Sequence, residues 1–169
     1  MRLFIASPVI LDDYAAIKED FKEIIEGTWV EEENLHMTWV FLGEMSKAKS
    51  TIARMSHLTN IESEVEIAEL GYFGRPPKIF FARAEQKVLY EKARHLKEAG
   101  FDLYRFKPHI TLCRIKAIHD YRIYKEKMKE YREKKLGIIL PKIALYESKR
   151  TSKGLEYQSI YEIENPIHN

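Results

Sequence analysis

The sequence predicts an α+β fold built from two β-α-β-α-β halves. Apolar runs of strand length alternate with stretches of helical periodicity, and the order of these elements restarts near the middle of the chain. The tripeptide His-x-Thr occurs twice, at residues 36–38 and 109–111, inside apolar runs at equivalent points of the two halves. We therefore expect a single domain over residues 1–169, with repeat halves at about residues 1–72 and 73–169.

The first half is predicted to contain three strands and two helices. Strands are expected over residues 3–6, over residues 35–42 and around Val65 and Ile67. A first helix is indicated by apolar residues at helical spacing, namely Tyr14, Ile17, Phe21, Ile24 and Ile25. Pro8 is expected to end the first strand, and Ser46 is the expected N-cap of a second helix that carries Ala48, Ile52, Met55 and Leu58.

The second half repeats this order. Strands are expected over residues 79–84, 110–113, 138–146 and 155–163. A helix with Leu89, Ala93 and Leu96 on one face should end at Gly100. Asp120 is the expected N-cap of a helix that carries Tyr121, Tyr124, Met128 and Tyr131 and ends near Gly137. Residues 71–78, which contain Gly74, Pro76 and Pro77, are the expected hinge between the halves.

Composition limits the functions that the chain can have. With 45% hydrophobic and 32% charged residues, the sequence is typical of a globular protein with a well-solvated surface. A formal net charge of +2 does not by itself indicate a nucleic-acid-binding tail or an anionic membrane partner, so any affinity for phosphate must be local. Cys113 is the only cysteine, and no apolar run reaches membrane-spanning length, so we expect a cytoplasmic protein.

The His-x-Thr motif has a direct chemical interpretation. Residues two apart on a strand point to the same face, so each motif presents one imidazole beside one hydroxyl. Two imidazoles across a cleft can serve as a base and an acid near neutral pH, and threonine hydroxyls can donate hydrogen bonds to a phosphate. The four side chains therefore indicate chemistry at a phosphoryl centre.

The motifs resemble those of a known family. The runs His36-Met37-Thr38-Trp39-Val40-Phe41-Leu42-Gly43 and Pro108-His109-Ile110-Thr111-Leu112-Cys113-Arg114 are similar to the paired signatures of the two-histidine (2H) phosphoesterase superfamily. Residues 1–6, 73–81 and 145–148 extend the resemblance to the RNA 2′,3′-cyclic phosphodiesterase branch, also called 2′-5′ RNA ligase-like. The resemblance covers nearly the whole chain.

This resemblance implies a bilobal α+β fold, with mainly antiparallel sheets that face a central cleft. It also implies metal-independent, cofactor-free hydrolysis of a 2′,3′-cyclic phosphate, on RNA ends or nucleotides, to a 2′-phosphate, with reversible 2′-5′ ligation as a side activity. His36 would be the general acid, His109 the general base, and Thr38 and Thr111 the phosphate ligands. We expect a monomer with no obligate protein partner and no membrane association.

Two further residues match family positions associated with nucleotide binding. Arg114 lies five residues after His109, and Phe41 lies five residues after His36. An odd offset turns a side chain to the opposite face of a regular strand, so both residues need a twist, bulge or strand end to enter the cleft.

Two alternatives differ from this hypothesis. His36, His109 and Cys113 could form a zinc site, since Cys113 lies on the same nominal strand face as His109. A non-catalytic RNA-end or nucleotide-binding module is the second alternative. The other four histidines, His57, His95, His119 and His168, lack a matching threonine and are expected at the surface. Trp39 is expected in the core, and the charge-rich residues 125–135 are expected on a solvated helix face.

Overall fold

The computed structural model describes residues 1–164, which contain ten strands, four α-helices and one short 3-10 helix. The strands are β1 (Arg2–Leu11), β2 (Ile25–Trp29), β3 (His36–Glu44), β4 (Val65–Ala68), β5 (Leu70–Phe73), β6 (Ile79–Arg83), β7 (His109–Ile118), β8 (Lys135–Ile139), β9 (Ala144–Thr151) and β10 (Gly154–Glu162). The helices are α1 (Tyr14–Phe21), α2 (Lys49–Met55), α3 (Lys87–Glu98) and α4 (Tyr121–Glu130), and the 3-10 helix is Glu32–Asn34. No helix within this range is long and apolar enough to span a membrane.

The strands pair in antiparallel fashion throughout the described chain. The order β10-β9-β1-β3-β7-β6-β5 runs across the molecule, β2 also pairs with β7, and β8 lies between β1 and β4. Strands β3 and β7 pair through one residue of each, Met37 and Ile110. The ladder between neighbouring strands is therefore shortest where the two His-x-Thr motifs lie. The predicted α+β class with mainly antiparallel sheets is confirmed.

Strand β1 is longer than the sequence indicated. The prediction that Pro8 ends it was wrong, because the strand continues to Leu11. Its first part pairs with β3 and β9, whereas Val9–Leu11 pair with β8. Pro8 is the last residue that pairs with β3, and Val9 is the first that pairs with β8, so proline lies at the end of a ladder, where its missing N–H is tolerated. Its carbonyl accepts a hydrogen bond from the Leu140 amide.

Two helix boundaries agree with the sequence and three do not. The Asp120 side chain accepts from the Ile123 amide at 3.1 Å as the predicted N-cap of α4, and α3 ends just before Gly100, whose φ is +98°. Ser46 does not cap α2, which begins at Lys49 after Ala48. Helix α1 ends at Phe21, so Ile24 and Ile25 lie outside it, and α4 ends at Glu130, well before Gly137.

Residues 71–78 were predicted as a hinge but form most of a β-hairpin. Strands β5 and β6 pair from Leu70 with Ala82 to Phe73 with Ile79, and the turn is closed by the Lys78 amide, which donates to the Phe73 carbonyl. The predicted strand over residues 138–146 is also wrong, because β8 and β9 are separate strands on either side of Pro141.

The apolar residues that defined the predicted helices are largely buried. Phe21 and Tyr124 lie on α1 and α4 with no solvent exposure, and their rings pack on or near Phe80 of β6. Trp39 is buried as predicted, and its indole N–H donates to the Ser7 hydroxyl at 2.8 Å. His57, His95 and His119 are exposed as predicted, and His168 lies outside the described residues.

Candidate active site

The two His-x-Thr motifs lie side by side at the junction of β3 and β7. Met37 pairs with Ile110, and an antiparallel register through this pair places His36 beside Thr111 and Thr38 beside His109. Met37 and Ile110 point into the core with no solvent exposure, so the four polar side chains share the opposite face. The structure therefore brings the four predicted residues together.

A β-bulge in each strand brings the two predicted nucleotide-binding residues to the same face. In β3, Thr38 pairs with Ala6 and Val40 with Ile5, so Trp39 is the extra residue. Trp39 and Val40 are both buried, and Phe41, which is 72% exposed, therefore returns to the face that carries His36. The bend that the odd offset required is present in β3.

Strand β7 contains the matching bulge. Thr111 pairs with Phe81 and Cys113 with Phe80, which makes Leu112 the extra residue. Leu112 and Cys113 are both buried, and Arg114 is exposed on the face that carries His109. The equivalence of the two bulges supports the internal duplication.

The bulge also removes Cys113 from the suggested zinc site. The regular-strand argument placed Cys113 on the His109 face, but the extra residue Leu112 turns its thiol into the core. Burial raises the pKa of this thiol to about 11, which disfavours the thiolate that a zinc ion needs. Within residues 1–164, no three His, Cys, Asp or Glu side chains converge as a metal site.

Both imidazoles are held by the same local contact. Nδ1 of His36 lies 2.7 Å from the carbonyl oxygen of Asn34, and Nδ1 of His109 lies 2.7 Å from the carbonyl oxygen of Lys107. A carbonyl only accepts, so Nδ1 carries the hydrogen in both rings and Nε2 is left for chemistry. Each histidine is thus oriented by the residue two positions before it.

Aromatic rings pack around each imidazole. The His36 ring lies 5.1 Å from Phe4 and 5.2 Å from Tyr157, measured between ring centroids. The His109 ring lies 4.9 Å from Phe73 and 5.4 Å from Phe81. These rings restrict imidazole rotation and exclude water from part of the site.

The two imidazoles differ in their electrostatic surroundings. Burial lowers the pKa of His36, the hydrogen bond to Asn34 raises it, and the positive charges of His109 and Arg114 lower it further. Burial also lowers the pKa of His109, against the opposing effect of its hydrogen bond to Lys107. Without substrate, the site therefore favours neutral imidazoles, and His36 bears the additional repulsion.

Sequence reasoning missed the four aromatic neighbours of the histidines. Tyr157 lies on β10, more than a hundred residues from His36 along the chain, so no local pattern connects them. Tyr157 contacts the His36 ring directly, and the positive charge of Arg114 acts to lower the pKa of both side chains, which places all three near one another in the site. Phe73 and Phe81 lie within a segment that contributed to the family resemblance, but their contact with His109 depends on the β5–β6 hairpin.

Comparison with known proteins identifies the family. The model of the LigT-like phosphoesterases matches residues 5–81. An RNA 2′,3′-cyclic phosphodiesterase of Thermotoga maritima is 32% identical, with 96% of this chain and 94% of the relative covered. One from Methanocaldococcus jannaschii is 30% identical, with 96% and 99% covered.

Solved structures agree with this relationship. A crystal structure of a Thermus thermophilus protein is 25% identical, has a TM-score of 0.72 and covers 96% of this chain and 97% of its own. The apo structure of E. coli LigT is 20% identical and has the same fold, with a TM-score of 0.67 and 95% of each chain covered. The chain therefore belongs to the LigT-like phosphoesterase family.

Proposed function

We propose that the chain hydrolyses the 2′,3′-cyclic phosphate of RNA ends or nucleotides to a 2′-phosphate, without a metal ion or other cofactor. The observation that carries this proposal is the pair of imidazoles, each with Nδ1 bound to a backbone carbonyl and each beside the threonine of the other motif. The names of the curated relatives, RNA 2′,3′-cyclic phosphodiesterases, support the choice of substrate.

The proposed reaction uses one imidazole on each side of the phosphorus. Neutral His109 accepts a proton from water through Nε2, and the water oxygen forms a bond to phosphorus. The bond between phosphorus and the 3′-oxygen breaks, and His36 donates its Nε2 proton to that oxygen. The products are a 2′-phosphate and a 3′-hydroxyl, and transfer of one proton from His109 to His36 restores the starting state.

The remaining cleft residues would bind the substrate. Thr38 and Thr111 lie beside the opposite histidines, where their hydroxyls would donate to the non-bridging phosphate oxygens. The Arg114 guanidinium supplies positive charge near His36, and the exposed Phe41 ring offers a surface on which a base can stack. Phe41 also lies 6.3 Å from Phe4, one of the rings that hold His36.

Substrate binding would favour the protonation that the free site disfavours. A cyclic phosphate is an anion, and an anion beside the imidazoles raises the pKa of both. In the bound state the cleft would therefore hold a proton more readily, and the mechanism requires that proton on His36. The 2′-5′ ligation would follow the same course, with the 5′-hydroxyl of a second RNA attacking phosphorus in place of water. In its reversal, the 3′-hydroxyl would attack phosphorus to re-form the cyclic phosphate, and the 5′-hydroxyl would leave.

The same proposal includes a monomer that acts in the cytoplasm. All six proposed site residues come from β3 and β7 of one chain, so the cleft needs no second subunit. The single cysteine is a buried free thiol, which suits a reducing compartment. Light scattering coupled to gel filtration should give the mass of one chain, and a dimer mass would contradict this part of the proposal.

The direct test is incubation with an oligoribonucleotide that ends in a 2′,3′-cyclic phosphate, with and without a chelator. We expect a 2′-phosphate product, separated from the 3′-isomer by chromatography against standards, at a rate that the chelator does not change. A 3′-phosphate product or a chelator-sensitive rate would contradict the proposed reaction. Tight binding without turnover between pH 5 and 8 would identify a binding module instead.

A further inference from the structure

Helix α4 and strand β5 form a basic groove away from the cleft. This groove has a volume of about 180 Å³ and is lined by Glu69, Leu70, Tyr72, Lys125, Met128, Lys129 and Arg132. Lys125 and Lys129 are four residues apart on one face of α4, and Arg132 follows in the turn after the helix. The structure thus sorts a segment of mixed charge into a face with three cations and one carboxylate.

The three cations lack acidic partners among the described residues. No carboxylate oxygen within residues 1–164 lies within 4.0 Å of the charged nitrogens of Lys125, Lys129 or Arg132. By contrast, Arg122 of the same helix lies 3.5 Å from Glu126. The groove therefore has three cations without an ion-pair partner against one carboxylate, Glu69, and this excess of positive charge would attract an anionic ligand.

Two tyrosines lie beside Lys125, Tyr72 within the groove and Tyr121 next to it. Lys125 Nζ donates to the Tyr72 hydroxyl at 2.7 Å and lies 4.9 Å from the centroid of that ring. It also lies 5.5 Å from the ring centroid of Tyr121, which is 49% exposed. Cations beside exposed aromatic rings are the combination that binds single-stranded nucleic acid, through phosphates and stacked bases.

The β5–β6 hairpin connects this groove to the cleft. Phe73 contacts His109 in the cleft, while its neighbour Tyr72 points to the opposite face of β5 and contacts Lys125. At the hairpin turn, the charge of Arg75 affects Tyr72, and the Lys78 carbonyl accepts from the amide of Ile115, the residue after Arg114. The cleft and the groove thus lie on opposite faces of the hairpin. An RNA chain that leaves the cleft near Arg114 would pass around the hairpin turn, beside Arg75, before it reaches the groove.

We propose that the basic groove is a second RNA contact, which binds backbone phosphates of nucleotides that precede the cyclic-phosphate end. The inference rests on the proposed function, because it assumes that the 3′ end of an RNA occupies the cleft. The groove is smaller than the ~300 Å³ at which small-molecule sites begin, so it suits a phosphate group better than a whole nucleotide. The enzyme would therefore favour oligonucleotides over mononucleotides.

The test measures binding and turnover separately. The groove variant replaces Lys125, Lys129 and Arg132 with Gln, and the control variant replaces Lys87, Arg94 and Arg122, three exposed cations with carboxylate partners, with Gln. Both variants lose three positive charges. Fluorescence anisotropy with a 12-nucleotide single-stranded RNA that ends in a 3′-hydroxyl gives Kd over a range of salt concentrations without any turnover.

We expect the groove variant to bind this RNA at least about tenfold more weakly at 50 mM salt, while the control stays within about twofold of the parent. The slope of log Kd against log salt should fall by about 2, because three phosphate contacts on a single strand contribute about 0.7 each. Hydrolysis of a mononucleotide 2′,3′-cyclic phosphate should be equal in all three proteins.

Equal Kd values for the groove variant and the parent would overturn the inference, even if cyclic-phosphate hydrolysis is confirmed. Equal losses in the groove and control variants would overturn it as well, since they would indicate net charge alone. If the groove variant bound RNA as the parent does but lost binding to phosphatidylserine vesicles, the groove would be assigned to a membrane surface instead. Absence of mononucleotide hydrolysis in every protein would contradict the proposed function, while the Kd values would still decide the groove.

Discussion

At the scale of single residues, the two histidines are equal in hydrogen bonding and unequal in charge. Each Nδ1 is held by a carbonyl two residues before it, so geometry alone does not distinguish acid from base. The positive charges of His109 and Arg114 lower the pKa of His36 in addition to burial. In the free protein the charge of Arg114 therefore disfavours a proton on His36, and the proposed order requires the bound phosphate anion to offset this effect.

The acid–base order can be tested with a leaving group that needs no proton. His36→Ala and His109→Ala should each reduce kcat/KM on the normal substrate by about 10²- to 10⁴-fold. On a substrate with sulfur in place of the 3′-oxygen, His36→Ala should regain most of its activity because a thiolate leaves without protonation, whereas His109→Ala should not. Recovery in the His109 variant alone would reverse the assignment, and recovery in neither would contradict a general acid of this kind.

The pH dependence follows from the direction of the two pKa shifts. Both imidazole pKa values are lowered from 6.5 in the free protein, and activity needs one neutral and one protonated ring. A plot of kcat/KM against pH, which reports the free enzyme, should be bell-shaped with its maximum below pH 6.5. The maximum of kcat should lie at higher pH, since the bound anion raises both pKa values. A kcat/KM maximum above pH 7, measured with mononucleotide substrate, would contradict this account.

At the scale of secondary-structure elements, the bulges bring Phe41 and Arg114 to the face that carries the two histidines. The sequence alone could locate β3 and β7 and pair each His with its Thr, because those relations depend on simple alternation. It could state that Phe41 and Arg114 needed a bend, but not where the bend lies. The extra residues Trp39 and Leu112 are set by pairing with β1 and β6, which are distant in the chain.

Pairing with strands that are distant in the chain also explains the sequence predictions that were wrong. Proline at residue 8 predicts the end of a strand, but pairing with β8 extends β1 beyond Pro8. Strand β8 lies more than a hundred residues further along the chain. Cys113 was placed by counting along a regular strand, and the bulge at Leu112 reversed its face. Predictions that rest on local contacts, such as the Asp120 cap and the Gly100 helix end, were confirmed because their partners are neighbours in sequence.

Gly27 positions β7 behind Arg114. A Cβ at residue 27 would lie 2.2 Å from the Arg114 carbonyl oxygen, so only glycine allows β2 to pair this closely. We expect Gly27→Ala to lower the free energy of unfolding by about 2 kcal/mol and to raise KM through displacement of Arg114. Gly43→Ala is the control, because a Cβ there meets nothing within 4 Å and only its φ of +73° opposes the substitution.

Thermal unfolding and steady-state kinetics on both alanine variants would check this prediction. Gly43→Ala should lose about 1 kcal/mol of stability, since alanine in the left-handed region is strained, and its KM should change less. Equal stability losses and equal KM values for the two variants would show that the contact between β2 and Arg114 does not position the guanidinium.

At the scale of the whole molecule, strands of one sequence half pair with strands of the other. Strand β2 of the first half pairs with β7 of the second, and β8 and β9 of the second half pair with β1 of the first. Among residues 1–164, strand β4 pairs with β8 alone. The duplication visible in the sequence therefore does not separate into two independent bodies, and we propose that residues 1–169 fold as one unit.

Cutting the chain in the hairpin turn after Gly74 tests this unit. Alone, residues 1–74 would keep only the β1–β3 pairing, because β2, β4 and β5 lose every partner. Two strands without further partners are marginally stable at best, so this fragment should show no cooperative thermal transition by circular dichroism. Residues 75–169 should also fail to unfold cooperatively, since β8 loses both of its neighbours.

Co-expression of the two fragments provides the control, because it supplies every strand partner and interrupts only an exposed turn. We expect the mixed fragments to co-purify, to unfold in one transition and to hydrolyse a mononucleotide 2′,3′-cyclic phosphate, since His36 and His109 would again meet through Met37 and Ile110. A cooperative transition in either fragment alone would show that this half is a separate folding unit. The strand pairs between the halves would then not be needed for its stability.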